Sequence, residues 1–185
     1  MQTTQYVAEI IKEIYQTVEL IKDEEAEKLV NGILESKKIF VAGAGRSGFM
    51  AKSFAMRMMH MGLNPYVVGE TVTPNLEQDD ILIIASGSGE TKSLVSMAQK
   101  AKSIGATLAV VTISPESTIG NLADIVVKLP GSPKDKETSQ YKTIQPMASL
   151  FEQTLLLVFD AVILRCMEKR GLDSNTMFGR HANLE

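Results

Sequence analysis

The stretch Ile81-Leu82-Ile83-Ile84-Ala85-Ser86-Gly87-Ser88-Gly89-Glu90-Thr91 constrains the fold more than any other. Four consecutive aliphatic residues read as a buried strand. They pass directly into Ser-Gly-Ser-Gly-Glu-Thr, and helical periodicity then runs from Lys92 to Ser103. The unit is a strand, a hydroxyl-rich turn and a helix. Its glycines open backbone conformations that carry a steric penalty for other residues. Such a turn delivers unpaired backbone N–H groups to a helix start, where the dipole favours an anion. Ser86, Ser88 and Thr91 add hydroxyl donors, and the turn contains no Lys or Arg. An anion there would be held by dipoles and hydroxyls, and a single phosphate group suits that donor set. The same residues also suit a plain strand–turn–helix in which a Ser or Thr caps the helix.

The rest of the chain repeats this alternation. Strands are predicted at Lys37 to Ala42, Pro65 to Val68, Thr107 to Ile113 and Asp124 to Leu129, besides the one at Ile81. A helix is predicted from about Ser47 to Met61, with Gly62 as its C-cap. Apolar strands separated by helices argue an α/β fold, a three-layer αβα doubly wound arrangement with a five-stranded parallel sheet. The 185 residues suit one domain, 1–185. Two helices precede the first strand. Val7, Ile10, Ile11, Ile14, Val18 and Ile21 mark the first; Leu29, Val30, Ile33 and Leu34 mark the second, with Asp23 as its N-cap. This pair either packs on the domain or meets a copy of the chain. Pro130 to Thr143 reads as a mobile, solvated loop. The last long helix is predicted to start at Pro146, a favoured first position, and to stop at Gly171. It is apolar almost all round, as in helices buried in a core or between subunits.

Composition narrows the class. The formal net charge is −3 and no basic stripe is visible, which argues against a nucleic-acid partner. Cys166 is the only cysteine, so neither an internal disulfide nor a Cys-rich metal site is expected. It reads as a small apolar residue on a buried helix. No apolar run approaches the length of a membrane span, and the first residues lack the pattern of a signal peptide. A cytoplasmic location is expected by elimination.

Gly43, Gly45 and Gly48 fit G-x-G-x-x-G after a strand, and Glu70 follows 22 residues beyond Gly48. That is the usual dinucleotide-binding fingerprint. Three features oppose it. No room remains for a substrate domain, a helical pair precedes the first strand, and the Ser86–Thr91 turn has no place in the fingerprint. The paired turns, Gly-Ala-Gly-Arg-Ser-Gly and then Ser-Gly-Ser-Gly-Glu-Thr about 40 residues later, instead resemble the sugar-isomerase (SIS) domain. Gln145-Pro146-Met147-Ala148-Ser149-Leu150-Phe151-Glu152 and the tail Phe178-Gly179-Arg180-His181-Ala182-Asn183-Leu184 are similar to the 6-phospho-3-hexuloisomerases of that family. The resemblance covers essentially the whole chain. It implies a flavodoxin-like SIS fold and conversion of D-arabino-hex-3-ulose 6-phosphate to fructose 6-phosphate. It also implies the ribulose monophosphate route of formaldehyde fixation, a hexulose-6-phosphate synthase as metabolic partner, a homotetramer, and neither cofactor nor metal.

Moving a ketone from carbon 3 to carbon 2 requires a base that passes through a 2,3-enediol. Glu152 is the expected base, as the one carboxylate in the first half of a very apolar helix. Burial would raise its pKa and the helix N-terminus would lower it. The bland role is a helix-start Glu stabilised by the dipole. His60 and His181 are the only histidines and the expected proton shuttles, either one donated by a neighbouring subunit as in related SIS isomerases. His60 equally suits capping of helix carbonyls. Gly45, Arg46, Ser47, Ser86, Gly87, Ser88, Gly89, Glu90 and Thr91 are the expected substrate-binding residues. Arg46 would meet the phosphate or a sugar oxygen, or else form a surface ion pair. Asp160 reads as structural, paired with Arg165 or another basic group. Two other classes remain: a phosphosugar-sensing SIS module without catalysis, which usually accompanies a DNA-binding domain, and a small dinucleotide-binding protein.

Overall fold

The computed structural model describes residues 1–131 and 143–184. Among these, five strands form one sheet: β1 (Ile39–Gly43), β2 (Pro65–Val67), β3 (Ile81–Ala85), β4 (Thr107–Thr112) and β5 (Ile125–Lys128). Their order is β2-β1-β3-β4-β5, and every neighbouring pair is parallel. The chain winds outward in both directions from β1 and β3. Gly43 lies opposite Ala85 in that central pair. Both glycine-containing turns therefore leave from adjacent strand ends, at the switch point where open α/β sheets place their ligands. Pro65 opens edge strand β2, a position that needs no ladder donor.

Strand residues alternate between two layers. Ile39, Val41, Ile81, Ile83, Ala109 and Val111 face one side; Phe40, Ala42, Leu82, Ile84, Leu108 and Val110 face the other. On the first side lie α2 (Asp23–Glu35), α3 (Gly45–His60) and α6 (Ser149–Arg170). On the second lie α4 (Lys92–Ile104) and the short α5 (Thr118–Leu122). This is the expected three-layer αβα fold with a five-stranded parallel sheet. Two close approaches hold the first layer tight. A Cβ on Gly48 would meet the Gly43 carbonyl oxygen at 2.7 Å, so α3 rests directly on β1. The rings of Phe54 on α3 and Phe159 on α6 stack with centroids 4.2 Å apart and planes 3° from parallel.

Several element ends differ from the sequence-based expectations. Lys22, not Asp23, is the N-cap of α2; Asp23, Glu24 and Glu25 fill its first turn, where carboxylates complement the dipole. Helix α6 starts at Ser149, not Pro146. Met147 has φ +54°, in the left-handed region, and that breaks the helical path. Strand β2 stops at Val67; Glu70 lies beyond Gly69 and pairs with Lys52 at 3.6 Å. Helices α5 and α7 (Ser174–Phe178) were not expected. Each is announced by a capping side chain: Ser117 accepts from the Gly120 N–H, and Asp173 from the Thr176 N–H. The predicted loop from Pro130 to Thr143 lies mostly outside the described residues. Arg165 pairs with Glu27 and Glu168 and not with Asp160.

The helical pair behaves asymmetrically. Leu29, Val30 and Ile33 of α2 are buried in the core. Helix α1 (Thr3–Val18) lies over α6, where Thr17 approaches Thr154 at 3.4 Å, and exposes Tyr6, Val7, Ile11, Tyr15 and Val18. On α6, Leu157 and Leu164 are likewise exposed, whereas Leu155, Val158, Phe159 and Val162 are buried. Cys166 is fully buried, and burial pushes its thiol up to about 11. Among the described residues, no helix is long and apolar enough to cross a membrane.

The Phe54–Phe159 stack carries a stability prediction. Phe159→Ala empties a site that is 1% exposed and should cost about 3–5 kcal/mol in urea unfolding at fixed protein concentration. A loss below about 1 kcal/mol would mean that the stack does not join α3 to α6 energetically.

Candidate active site

A cavity of about 230 Å³ opens where β1 and β3 end beside the start of α6. Gly45, Arg46 and Ser47 line it from the first turn, and Ser86, Gly87, Ser88 and Thr91 from the second. Phe151 and Glu152 close it from α6. Gly87 is small because Phe151 packs under it: a Cβ there would meet the Phe151 ring at 3.3 Å. A larger groove of about 630 Å³ lies between α2 and α6, lined by Val18, Ile21, Val30, Val158 and Val162. It contains neither glycine-containing turn, so it is the weaker candidate for chemistry despite its size.

The second turn is more internally bonded than its sequence suggests. Ser86 Oγ accepts from the Gly89 N–H at 3.1 Å, and Ser88 Oγ accepts from the Glu90 N–H at 3.2 Å. Two of the expected free amides are therefore used within the turn, and both hydroxyls keep their own protons to donate. Thr91 is the N-cap of α4, yet its side chain makes no capping bond, so its hydroxyl also stays available. Among the described residues, the Gly87 and Ser88 amides have no hydrogen-bond partner. Gly89 and Glu90 do not line the cavity. Gly89 has φ +63° and packs so closely on Ser117 that a Cβ would overlap its hydroxyl. The Glu90 carboxylate accepts from the Thr118 N–H at 2.6 Å, and that bond holds it below the usual carboxylate range. Glu90 thus ties the turn to α5.

On the opposite wall Arg46 Nε lies 3.2 Å from Glu152 Oε2. Its Nη1 donates to Ser149 Oγ at 3.1 Å. Ser149 and Glu152 are three apart on α6, so one guanidinium spans both. Sequence reasoning passed over Ser149, although it stands inside the Gln145–Glu152 motif. It also missed Glu13 on α1, which accepts from Thr143 Oγ1, the Ile144 N–H and Gln145 Nε2 at 2.7–2.9 Å. Burial pushes the Glu13 carboxyl up, but bonds from Gln145, Ile144 and Thr143 outweigh it and hold it below the usual value. The first helix thereby anchors the chain that leads into α6.

The family model described as the SIS domain matches residues 32–157. The chain belongs to the SIS-domain family. Over all 185 residues of both chains it is 62% identical to the 3-hexulose-6-phosphate isomerase of Bacillus subtilis. Its identity to the Mycobacterium gastri enzyme of the same name is 39%, over 94% of this chain and 86% of that one. A solved Methanococcus jannaschii structure superposes with a TM-score of 0.82 at 33% identity, covering 98% of this chain and 99% of that one. That structure is described as inferring a molecular function of 3-hexulose-6-phosphate isomerase. Within this SIS fold the G-x-G-x-x-G spacing has a structural account: Gly43 and Gly48 let α3 approach β1, and Gly45 adopts φ +57°.

The two histidines of this SIS chain meet each other but not Glu152. Their rings stack with centroids 5.3 Å apart, in a separate cavity that Arg57, Asp160 and Phe178 also line. His60 ends α3 whereas Gly45 begins it, which separates them by roughly 22 Å along the helix. Within one chain neither histidine reaches the Ser86–Thr91 turn. The tail docks through α7, and Arg180 Nη1 donates to the His60 carbonyl at 3.3 Å. His60 is buried, and Arg57 Nη1 donates to its Nδ1 at 3.3 Å. Burial first, then the charges of Arg57 and His181, hold His60 below the ordinary histidine value.

A histidine depressed in the folded state takes up protons more readily when unfolded. Its contribution to stability is present above the unfolded value near 6.5 and is lost as pH falls through the folded value. Thermal unfolding midpoints should therefore drop from pH 7 to pH 5, and His60→Asn should flatten that slope. Parallel slopes for the two proteins would detach the effect from His60.

Proposed function

We propose that this protein interconverts D-arabino-hex-3-ulose 6-phosphate and D-fructose 6-phosphate. The carrying observation is the shared cavity, with a donor-rich turn on one wall and the Glu152 carboxylate on the other. The 62% identity to the Bacillus subtilis enzyme supports the same reading. Residues 1–185 are read as one SIS domain. The phosphate takes the hydroxyls of Ser47, Ser86, Ser88 and Thr91 and the free amides of the turn, with the α4 dipole behind it. Glu152 removes the proton from carbon 2 of the 3-ketose. The electrons move onto the carbon-3 oxygen, which takes a proton from the 2-hydroxyl through the 2,3-enediol, and return of a proton at carbon 3 leaves the ketone at carbon 2. Arg46, already bridging Glu152 and Ser149, faces the oxygens on which charge develops. The 3-ketose would come from a synthase that joins formaldehyde to ribulose 5-phosphate. A cytoplasmic location fits that chemistry.

Glu152→Gln tests the base. Gln keeps size and most hydrogen bonding but accepts no proton from carbon. Turnover should fall by about 10²–10⁴-fold while fructose 6-phosphate binding persists. In heavy water the native protein should incorporate deuterium at carbon 2 of fructose 6-phosphate, and the variant far less. A variant that isomerises within about threefold of the native protein would leave Glu152 a structural helix-start residue. Native protein that binds fructose 6-phosphate without turning over the 3-ketose would favour the sensing module.

The assembly belongs to the same proposal. Exposed Tyr6, Ile11 and Tyr15 on α1, and Leu157 and Leu164 on α6, support a homo-oligomer, read as a tetramer. Such an assembly is also the route by which His60 or His181 would reach a Glu152 site, that of a neighbour. Light scattering at micromolar concentration should give about four chains per particle. Mixing inactive Glu152→Gln and His181→Ala proteins should restore part of the activity through hybrid sites. A monomer, or no recovery despite proven exchange, would remove the histidines from the reaction.

A further inference from the structure

We propose that Thr112, at the carboxyl end of β4, is a positioning residue that aims the Ser88 amide at the substrate phosphate. The inference rests on the phosphate reading of the Ser86–Thr91 turn. Thr112 is fully buried and does not line the cavity. Its Oγ1 donates to the Gly87 carbonyl oxygen at 3.1 Å and accepts from the Ser114 N–H at 3.1 Å. The same Gly87 oxygen accepts from the Ile113 N–H, also at 3.1 Å. Two donors thus hold one carbonyl against the end of β4. The Gly87–Ser88 peptide is planar and trans, so its N–H points opposite to its C=O. Pinning the Gly87 oxygen toward β4 turns the Ser88 N–H away from β4. Gly87 and Ser88 both line the cavity, and the Ser88 N–H has no partner among the described residues.

The neighbouring bonds act in the same sense. The Gly89 carbonyl accepts from the Ile119 N–H at 3.1 Å, and the Glu90 carboxylate accepts from the Thr118 N–H. The segment from Thr112 to Ile119 thus holds three points of the turn from behind. Gly87 lacks a side chain that would fix its own torsion angles, so without this brace the peptide is free to rotate. Thr112 is the one side chain in that brace that acts directly on the peptide carrying the Ser88 amide. Ligand binding to a pre-aimed amide avoids the cost of ordering it.

Two conservative variants separate aim from packing. Thr112→Val keeps the shape and removes both hydroxyl bonds; Thr112→Ser keeps both bonds and removes a methyl group. Fructose 6-phosphate affinity by calorimetry should weaken roughly threefold to tenfold in Thr112→Val, with kcat within about twofold of native. Thr112→Ser should retain native affinity while its thermal midpoint falls. Equal weakening in both variants, or native affinity in Thr112→Val beside weakened binding in Ser88→Ala, overturns the role of Thr112 and leaves the phosphate site standing. Native affinity in Ser88→Ala, Ser86→Ala, Thr91→Ala and Ser47→Ala alike removes the phosphate reading and this inference with it. A reading on the native protein avoids any folding defect. Added inorganic phosphate should shift the Ser88 amide proton strongly downfield and the Gly89 amide, already bonded to Ser86, much less. The reverse order overturns the proposal.

Discussion

The parallel pairing of β1 with β3 is the constraint from which the site follows. Parallel neighbours need crossover connections, and these two strands send theirs to opposite faces of the sheet. Helix α3 leaves on one side and α4 on the other. The turns between strand and helix then diverge and leave a crevice at the carboxyl ends. With Gly43 opposite Ala85, both turns start at the same level of the sheet. Helix α6 needs only to lay its first turn across that crevice to make a cavity. The contact of Gly48 on Gly43 and the Phe54–Phe159 stack set how closely it does so.

The two walls of the cavity have different electrostatics. The Ser86–Thr91 turn carries no cationic side chain, and its donors are hydroxyls, amides and a helix start. The opposite wall carries a directly paired Arg46 and Glu152, with Ser149 accepting a further bond from the guanidinium. In the proposed reaction this division is useful. A phosphate held by dipoles leaves the guanidinium free for oxygens that gain charge near the base. Arg46 is about half exposed while the Glu152 side chain is 12% exposed, so the arginine is the partner with room to move. Holding the turn by its own serines and by the end of β4 keeps the donors in place before any anion arrives.

The periphery is built around anchoring α6. Glu13 secures the chain that enters it, Glu27 pairs with Arg165 and Lys169 along it, and Arg170 Nη1 donates to the Met61 carbonyl at its end. Once α6 is anchored, the apolar residues it does not bury in this chain face outward beside those of α1. The histidine pair lies on this outward side, with Asp160 and Leu164 in the same cavity wall.

Local pattern alone determined much of this protein. The apolar runs at Ile39, Ile81 and Thr107 have one conformation that buries them, and the helices between them force parallel order. The Ser86–Thr91 segment was legible as a strand–turn–helix because an aliphatic run passes straight into glycines and hydroxyls ahead of a helical period. Glu152 stood out as a charge in an apolar helix. Tertiary structure decided the rest, because those outcomes depend on groups far apart in sequence. Pro146 looked like a helix start until the left-handed backbone at Met147 excluded it. The tie of the Glu90 carboxylate to the Thr118 amide, 28 residues away, had no local signal. His60 and His181 are 121 positions apart in the sequence, and only the docking of the tail on α3 sets their rings together and away from Glu152. Sequence carries residue type and local period; the partner that satisfies a polar group is a property of the packed chain.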